Sequence, residues 1–319
     1  MKYEEGSVDP LLPDEESLPE GHKSGFVTVV GLPNVGKSTL LNTLLAQKIA
    51  IVTPRPQTTR ARQLGILTMP TYQIVFVDTP GLIKAPRHKL DEFMLEAATE
   101  TLTDADVILW VVDAGTPPGA GDRAIAAELA PLATNTPVIQ ALNKSDLLAP
   151  EQVIPTCEAY HALLPDARWI LISAANNRGC DELLQMLVDA LPSGPRYYPA
   201  DQVTDTYLRD IAAEMIREQV LLQVRDEIPY GVAVQIEAFK ERENDVTYIS
   251  ANIFVERDSH KKIVIGAKGA QLRQIGAAAR RQIEQMIEGK VFLELWVKVE
   301  PKWRRSEQAL RKFGYSKKN

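Results

Sequence analysis

Short apolar runs alternate with amphipathic stretches over roughly the first 190 residues. The apolar runs predict strands over residues 26–30, 74–77, 107–112, 138–142 and 169–172. The intervening stretches space their apolar residues as helices do and predict helices over residues 38–45, 88–103, 120–132, 151–164 and 180–191. Buried strands that alternate with helices are typical of an α/β domain with a mostly parallel sheet and helices on both faces.

The pattern changes after a proline-bearing stretch, residues 193–204, which we interpret as a linker. Beyond it the pattern predicts a helix over residues 205–225 and two alternating strands over 232–239 and 246–255. A short apolar segment over residues 262–265, a second helix over 270–287 and a last alternating strand over 291–299 follow. The order helix, strand, strand, helix, strand predicts a second domain of the α+β class, over residues 205–319.

Residues 1–22 have no apolar periodicity, so we predict a disordered acidic leader, followed by a first domain over residues 23–192. The leader lacks the basic and apolar regions of a secretory signal. The chain has no run of about 18 apolar residues, so no membrane-spanning helix is expected. Its two cysteines, Cys157 and Cys180, have no metal-binding spacing. These features favour a reduced, cytoplasmic protein.

Charge is distributed unevenly along the chain, although the formal net charge is only −6. Residues 1–20 carry seven acidic residues against one lysine, whereas residues 261–319 carry fifteen lysine and arginine residues against five acidic ones, a net charge of +10. A basic end on an acidic chain indicates a polyanion-binding region. The alternative is a solvated charged tail.

A phosphate-binding loop lies between the first strand and the first helix, with the sequence Gly31-Leu32-Pro33-Asn34-Val35-Gly36-Lys37-Ser38. The glycines allow backbone N–H groups to surround phosphate oxygens at the helix N-terminus. Lys37 is then expected to reach the β- and γ-phosphates, and Ser38 to bind Mg²⁺. A chance glycine turn is the alternative, which the full motif in this context disfavours.

Three further motifs follow the ends of predicted strands. Asp78-Thr79-Pro80-Gly81 places a carboxylate for Mg²⁺ and an N–H group for the γ-phosphate. Asn143-Lys144-Ser145-Asp146 offers a carboxylate that accepts two hydrogen bonds from guanine, whereas adenine has no matching donors. Ser173-Ala174 adds a backbone N–H for guanine O6. Together these motifs predict a site for GTP or GDP with Mg²⁺.

The loop Gly-x-Pro-Asn-Val-Gly-Lys-Ser, together with Asp-Thr-Pro-Gly, resembles the Era and Der branch of the translation-factor-type GTPases. The resemblance implies a first switch at Gln57-Thr58-Thr59-Arg60 with a threonine that binds Mg²⁺. We favour Thr59 over Thr58 for this role, and Lys37, Thr59, Asp78 and Gly81 are the expected catalytic residues.

Leu82 follows Gly81, so a side chain that could orient water is missing at this position. The resemblance implies that Asn34 helps to hold a K⁺ ion near the β- and γ-phosphates, as a further catalytic element. The alternative is that Asn34 only shapes the loop.

A second glycine turn, Gly266-Ala267-Lys268-Gly269, lies before the second helix of the α+β region. Such a turn allows a nucleic-acid backbone to approach closely, and the cations Lys262, Lys268 and Arg273 could line the groove. Alone it is more often a plain turn. With the element order and the local charge of +10, it resembles a type II KH domain.

The strings His260–Gly266, Leu293–Val299 and Leu310–Tyr315 resemble the Era family itself, over about residues 24–315. Der has two GTPase domains, and only one phosphate loop occurs here. The resemblance implies a monomeric GTPase that binds single-stranded 16S rRNA near its 3′ end and acts in maturation of the small ribosomal subunit. Two alternatives stay open: a non-enzymatic assembly module with GTP as a structural ligand, and a GTPase that contacts the membrane peripherally.

Overall fold

The structure is a computed structural model, and it describes residues 18–53, 55, 58–80, 88–225, 228–242 and 244–315. These residues form a six-stranded sheet in the first part of the chain and a three-stranded sheet in the second. Most of the predicted leader, residues 1–17, lies outside the described residues.

The first sheet contains the strands β1 (Lys23–Val30), β2 (Gln63–Met69), β3 (Tyr72–Asp78), β4 (Val107–Asp113), β5 (Val138–Asn143) and β6 (Arg168–Leu171). They are arranged in the order β2-β3-β1-β4-β5-β6, and every pair is parallel except the antiparallel pair β2–β3. The five predicted strands are present, and the mostly parallel sheet is confirmed. The edge strand β2 was not predicted.

Five helices cover both faces of this sheet: α1 (Lys37–Leu45), α2 (Lys89–Thr103), α3 (Ala120–Leu129), α4 (Pro150–His161) and α5 (Cys180–Ala190). Leu109 and Val111 of β4 pack with α1 and α5, whereas Ile108 and Trp110 pack with α3 and α4. Alternate residues of β4 therefore enter two different cores, which explains why this strand is apolar throughout.

This topology brings the predicted nucleotide motifs together. The phosphate loop follows β1, Asp78 is the last residue of β3, Asn143 is the last residue of β5, and Ser173 follows β6. Because β1, β3, β5 and β6 run in the same direction, these residues meet at the carboxyl edge of the sheet.

The predicted linker, residues 193–204, runs along the first domain. The side-chain oxygen of Gln73 accepts hydrogen bonds from the backbone N–H groups of Tyr197 and Tyr198, at 2.7 and 3.0 Å. The N–H of Ile66 donates to the carbonyl of Val203 at 2.7 Å. The segment is therefore fixed to β2 and β3.

The second domain contains α6 (Leu208–Gln223), β7 (Ala233–Arg242), β8 (Val246–Val255), α7 (Asp258–Ile265), α8 (Ala270–Ile287), β9 (Lys290–Val299) and α9 (Glu307–Lys312). The sheet order is β7-β8-β9, with β7–β8 antiparallel and β8–β9 parallel. Apolar residues of α6, α7 and α8 pack against one face of this sheet. The apolar segment 262–265 is the end of α7, a helix that the predicted element order lacked.

Cys157 and Cys180 are free and buried. None of the helices in the described part of the chain is long and apolar enough to cross a membrane.

Candidate nucleotide and RNA sites

The phosphate loop has a backbone that only glycine can adopt at two of its positions. Gly31 has a φ angle of +151° and Gly36 of +101°. A Cβ atom at Gly31 would clash with the carbonyl oxygen of Val111, and one at Gly36 would clash with the side chain of Asn143. The loop therefore packs directly on β4 and on the predicted guanine motif.

Lys37 is the first residue of α1, and its side chain turns back into the loop. Only 7% of the residue is exposed, and Nζ donates hydrogen bonds to the carbonyls of Gly31 and Leu32 at 2.9 and 3.0 Å. Burial lowers the pKa of Lys37 to about 8, and the charge of Asp78 opposes this shift. A buried cation beside backbone N–H groups fits a phosphate ligand.

Three oxygen atoms meet beside this lysine. The hydroxyls of Ser38 and Thr59 each donate to Oδ2 of Asp78 at 3.1 Å, and the two hydroxyls are 3.1 Å apart. The other carboxylate oxygen of Asp78, Oδ1, is buried and has no hydrogen-bond partner among the described residues. Burial raises the pKa of Asp78, whereas Lys37 and the two hydroxyls lower it. Hard oxygen donors around a buried carboxylate suit Mg²⁺.

The neighbouring threonines have different partners. Thr59 contacts Asp78, whereas the Thr58 hydroxyl donates to the carbonyl of Arg55 at 2.8 Å and lies 3.0 Å from the Thr53 hydroxyl. The geometry thus favours Thr59 as the ligand.

The guanine motif is tied to two other loops by Asn143, which is 2% exposed. Its Nδ2 donates to the carbonyl of Val35 at 2.9 Å, and its Oδ1 accepts from the N–H of Ala174 at 2.9 Å. The Ser173 hydroxyl donates to the exposed carboxylate of Asp146 at 2.5 Å. The predicted tethering role of Asn143 agrees with these bonds, and Asp146 is accessible to a base.

Lys144 follows in a left-handed conformation, with a φ angle of +67°. Its ammonium pairs with Asp113 at 2.6 Å, so the lysine is held between the ends of β4 and β5. No motif marks Asp113, because this carboxylate is at the end of an apolar strand.

The remaining predicted nucleotide residues are distributed as follows. Pro33, Asn34, Lys37, Ser38, Thr59 and Lys144 line a cavity of about 480 Å³. Leu32 and Val35 support the loop from the core side.

Thr79 is buried and donates to the carbonyl of Val29 at 2.8 Å, and Pro80 is buried beside it. Gln57, Gly81 and Leu82 lie outside the described residues.

The predicted RNA turn connects α7 to α8. Gly266, Lys268 and Gly269 all have positive φ angles, +71°, +49° and +76°. A Cβ atom at Gly266 would lie 2.6 Å from Cβ of Gln271, so the turn needs glycine there. Ala267 and Lys268 are exposed.

Two further predicted RNA residues flank the turn. Arg273 is exposed and its Nη1 donates to the carbonyl of Lys268 at 2.9 Å, while Lys262 is exposed on α7. The turn thus presents cations beside the N-terminus of α8, an arrangement that fits a nucleic-acid phosphate.

The predicted switch segment contacts the second domain directly. Arg60 is 3% exposed, and its guanidinium donates to the carbonyls of Tyr230 and Val232 at 3.0 and 2.7 Å. The fully buried Arg217 of α6 donates to the carbonyl of Thr58. The residues on either side of Thr59 are therefore both bonded to the second domain.

Glu218 of α6 extends this connection. Its carboxylate accepts from the N–H of Val52 at 2.7 Å, from Lys48 at 2.6 Å and from Gln282 of α8 at 2.8 Å. One buried carboxylate thus joins the segment before the switch to the helix that follows the RNA turn. Arg217 and Glu218 were not predicted as functional residues, because no local pattern marks contacts between residues so distant in sequence.

A second contact between the domains involves α2. Leu90 and Met94 of α2 pack with Phe254, Trp303 and Leu310 of the second domain in a buried apolar cluster. Helix α2 follows the segment that contains Gly81 and Leu82.

Comparison with known proteins agrees with both halves of the fold. A family profile described as "50S ribosome-binding GTPase" matches residues 26–144, and one described as "KH domain" matches residues 227–304. GTPase Era of Halothermothrix orenii is 49% identical, and that of Ruminiclostridium cellulolyticum 47% identical, each over 294 residues, covering 92% of this chain and 99% and 98% of theirs.

Two solved structures share the arrangement of both domains. A crystal structure of Era in complex with MgGDPNP and nucleotides 1506–1542 of 16S ribosomal RNA has a TM-score of 0.89 at 40% identity, covering 93% of this chain and all of that one. A crystal structure of an Aquifex aeolicus Era variant bound to GDP·AlF4⁻ has a TM-score of 0.88 at 40% identity, covering 92% of this chain and all of that one.

The fold and the two sites define a P-loop GTPase joined to a KH domain. The identity to known proteins over nearly the whole chain goes further: the chain belongs to the Era family of GTPases, and its enzymatic activity is the hydrolysis of GTP. The resemblance noted from the phosphate loop and the turn is thereby confirmed.

Proposed function

We propose that this GTPase binds GTP and Mg²⁺ at the carboxyl edge of the first sheet and uses its KH domain to bind single-stranded 16S rRNA near the 3′ end, in maturation of the small ribosomal subunit. The observation that carries the proposal is the bonding of both neighbours of Thr59 to the KH domain. A nucleotide-sensing residue is thus joined to an RNA-binding unit. The functional units are residues 23–192 and 205–319, with 193–204 as the linker.

The nucleotide is held from both ends. Lys37 and the N–H groups of the phosphate loop bind the phosphates, while Asp146 accepts hydrogen bonds from guanine. The N–H of Ala174, which was expected to bond guanine O6, donates to the side chain of Asn143 instead. Asn143 positions this end through its bonds to Val35 and Ala174. Because Lys37 and Asn143 are already bonded in the site, these two side chains need little ordering when the nucleotide binds.

Ser38, Thr59 and Asp78 are the proposed Mg²⁺ site, and the partnerless Oδ1 of Asp78 fits a metal or its bound water. When bound, the ion neutralises charge that develops on the phosphates. The hydroxyl of Thr59 is then available to the metal only when the switch segment is in place. Mg²⁺ binding and switch ordering are therefore the same event.

Hydrolysis itself is assigned to Lys37, Thr59 and the Gly81 N–H, with Asn34 and K⁺ as the additional element. Asn34 lines the nucleotide cavity in a left-handed conformation, with a φ angle of +66°. Turnover in K⁺ and in Na⁺ is compared for the natural chain and for Asn34→Ala. Equal turnover in both salts, or no loss in the variant, would show that Asn34 only shapes the loop.

On the KH side, the Gly266–Gly269 turn allows an RNA backbone to approach, with Lys262, Lys268 and Arg273 beside its phosphates. Gly269→Asp places a carboxylate there and is expected to abolish tight RNA binding. Unchanged affinity of this variant would remove the turn from the RNA site.

RNA is favoured over lipid as the partner of the basic end. Ala309 and Leu310, the apolar residues of α9, are buried in the cluster with α2, so this short helix has no apolar side to insert into a membrane. The proposed protein is cytoplasmic and meets the ribosomal subunit as a monomer. A peripheral membrane contact would require the α9 cluster to open.

The experiment that tests the proposal is crosslinking of the protein to cellular RNA, followed by sequencing, with and without a non-hydrolysable GTP analogue. Enrichment of the 16S rRNA 3′ region is expected, and it should depend on the nucleotide. No RNA enrichment in either state would refute the proposed function. Single-turnover release of phosphate from the same preparation checks that the protein is active.

A further inference from the structure

The outer face of the KH sheet, opposite to α6, α7 and α8, is covered at one end and open at the other. At the covered end, Ala233 and Phe254 are buried beneath Trp303 and α9. At the open end, Phe292 and Trp296 of β9 are 55% and 57% exposed. Neither ring belongs to a buried core among the described residues. Two large exposed aromatic side chains on one strand indicate an interaction surface.

Strand pairing brings these rings into a group. Tyr248 lies beside Phe292, and their ring planes are stacked, with centroids 6.0 Å apart and 27° between the planes. The guanidinium of Arg242 lies over both rings, 4.0 Å from the centroid of Tyr248 and 5.6 Å from that of Phe292. The two rings and the guanidinium are thus stacked on one another, as such groups are at sites where proteins stack nucleic-acid bases.

The surroundings of the rings are basic. Lys240 pairs with Tyr248, and Arg242 and Lys290 both pair with Val246, so three cations meet at one end of the sheet. Lys298 lies on the same face at the other end. Two carboxylates share the described part of this face, and each accepts a hydrogen bond: Glu237 from Asn252, and Glu294 from Tyr248. Among the described residues of the face, cations outnumber carboxylates, which suits a polyanion.

We propose that this face, built from Arg242, Tyr248, Phe292 and Trp296, is a second RNA-binding surface that stacks unpaired bases on its exposed rings. Phosphates lie along Lys240 and Lys290. The proposal rests on the proposed RNA function and adds a surface to it. A protein partner fits less well, since protein interfaces are depleted in lysine whereas base-stacking surfaces combine rings with cations.

The new surface and the Gly266–Gly269 turn lie on opposite sides of the sheet. Val291 and Val297 of β9 enter the core with α7 and α8, and the alternating Phe292 and Trp296 point the other way. Strand β9 is one of the two edge strands of the sheet. An RNA that touches both surfaces must therefore pass around the sheet, and must be longer than the roughly four nucleotides that a KH turn clamps.

RNA length provides the test. Two labelled RNAs are compared on the full chain with a non-hydrolysable GTP analogue: nucleotides 1506–1542 of 16S rRNA, and a 3′ piece of about four nucleotides. The variant is Phe292→Ala with Trp296→Ala. Its matched control is Trp169→Ala, which removes a ring of similar exposure, 41%, from β6 of the first domain.

The double variant should weaken binding of the long RNA about five-fold or more for each ring, and leave the short RNA unchanged. The control should bind both RNAs normally. Unchanged affinity for the long RNA would overturn the proposal and leave the face to a protein partner. Failure of the natural chain to bind either RNA would instead refute the proposed function, and loss of binding only in Lys268→Ala would support the turn alone.

Tryptophan fluorescence gives a readout that does not depend on truncating the rings. In a Trp169→Phe background the remaining indoles are Trp110 and Trp303, both fully buried, and the exposed Trp296. The long RNA should quench the emission of Trp296 and the short RNA should not. Absence of quenching by the long RNA at saturation would contradict stacking on this ring.

Discussion

The phosphate loop and the RNA turn are both glycine-bearing loops that precede a helix, yet they are built in opposite ways. In the first, Lys37 and Asp78 are buried. Lys37 donates a hydrogen bond to the carbonyl of Gly31, and Asp78 accepts one from Ser38. In the second, Ala267 and Lys268 are exposed, and Arg273 lies beside them at the surface. The difference follows from the ligand: a small triphosphate can be enclosed by fixed charges, whereas a polymer needs an open surface.

The two loops are nevertheless connected. Glu218 of α6 bonds the segment before the switch on one side and Gln282 of α8 on the other. Ordering of the switch around the nucleotide can therefore change the position of the helix that follows the RNA turn. The contrast between an enclosed and an open site predicts large mutational effects at the first and small ones at the second.

The largest effect is expected for Lys37→Ala. Removal of the buried ammonium should lower the rate of GTP hydrolysis about 10³-fold, because its charge acts on the phosphates in a site shielded from water. The measurement is single-turnover phosphate release. Lys23→Ala is a matched control, since Lys23 also donates to two carbonyls, those of Val188 and Asp189, but at the opposite end of β1. Equal losses in both variants would show a general structural effect.

Asp146→Asn should reduce GTP affinity at least about 100-fold, because the amide presents a donor to the amino group of guanine. The same variant should gain affinity for xanthosine triphosphate, whose C2 carbonyl accepts that donor. Nucleotide competition measures both values. Asp166→Asn, at an exposed aspartate before β6, should change neither. Unaltered preference for GTP in Asp146→Asn would contradict the assignment of the guanine site.

Thr59→Ala should weaken the apparent affinity for Mg²⁺ about 10- to 100-fold, while Thr58→Ala should have little effect. The reason is that, of the two threonines, Thr59 contacts Asp78 whereas Thr58 donates to the carbonyl of Arg55. Titration of GTPase activity with Mg²⁺ gives the comparison, and the two threonines serve as controls for each other. A larger effect at Thr58 would reverse the assignment.

The smallest effect is expected at the open site. Lys268→Ala should weaken RNA binding about three- to ten-fold and reduce the slope of log affinity against log salt concentration by about one, since one phosphate contact is lost. Arg123→Ala removes an exposed cation from α3 and should leave the slope unchanged. An unchanged slope in Lys268→Ala would exclude this lysine from the RNA contact.

Much of the nucleotide site could be predicted, because its motifs are short stretches of sequence that the parallel sheet brings to one edge. Strand β2 was not predictable from periodicity: only Leu64 and Ile66 are buried apolar residues in it, and Gly65 interrupts them to make room for Leu45 of α1. Its place is set by pairing with β3.

Helix α7 was missed for a related reason. Its end, Ile263-Val264-Ile265, has the β-branched composition of a strand. Val264 is buried against the KH core and Ile263 is half exposed, so packing and the turn at Gly266 override the local preference. The bond of Arg217 to Thr58 and that of Glu218 to Val52 depend on the docking of two domains, which no local pattern encodes.

The contacts between the switch and the KH domain imply that the nucleotide controls RNA binding. The decisive quantity is the dissociation constant for nucleotides 1506–1542 of 16S rRNA, measured on the full chain with a non-hydrolysable GTP analogue and with GDP. We predict that the two dissociation constants differ at least about five-fold in the natural chain. In Arg60→Ala, which lacks the bonds to Tyr230 and Val232, we predict that the two constants become equal. Equal constants for the two nucleotides in the natural chain would contradict nucleotide control of RNA binding.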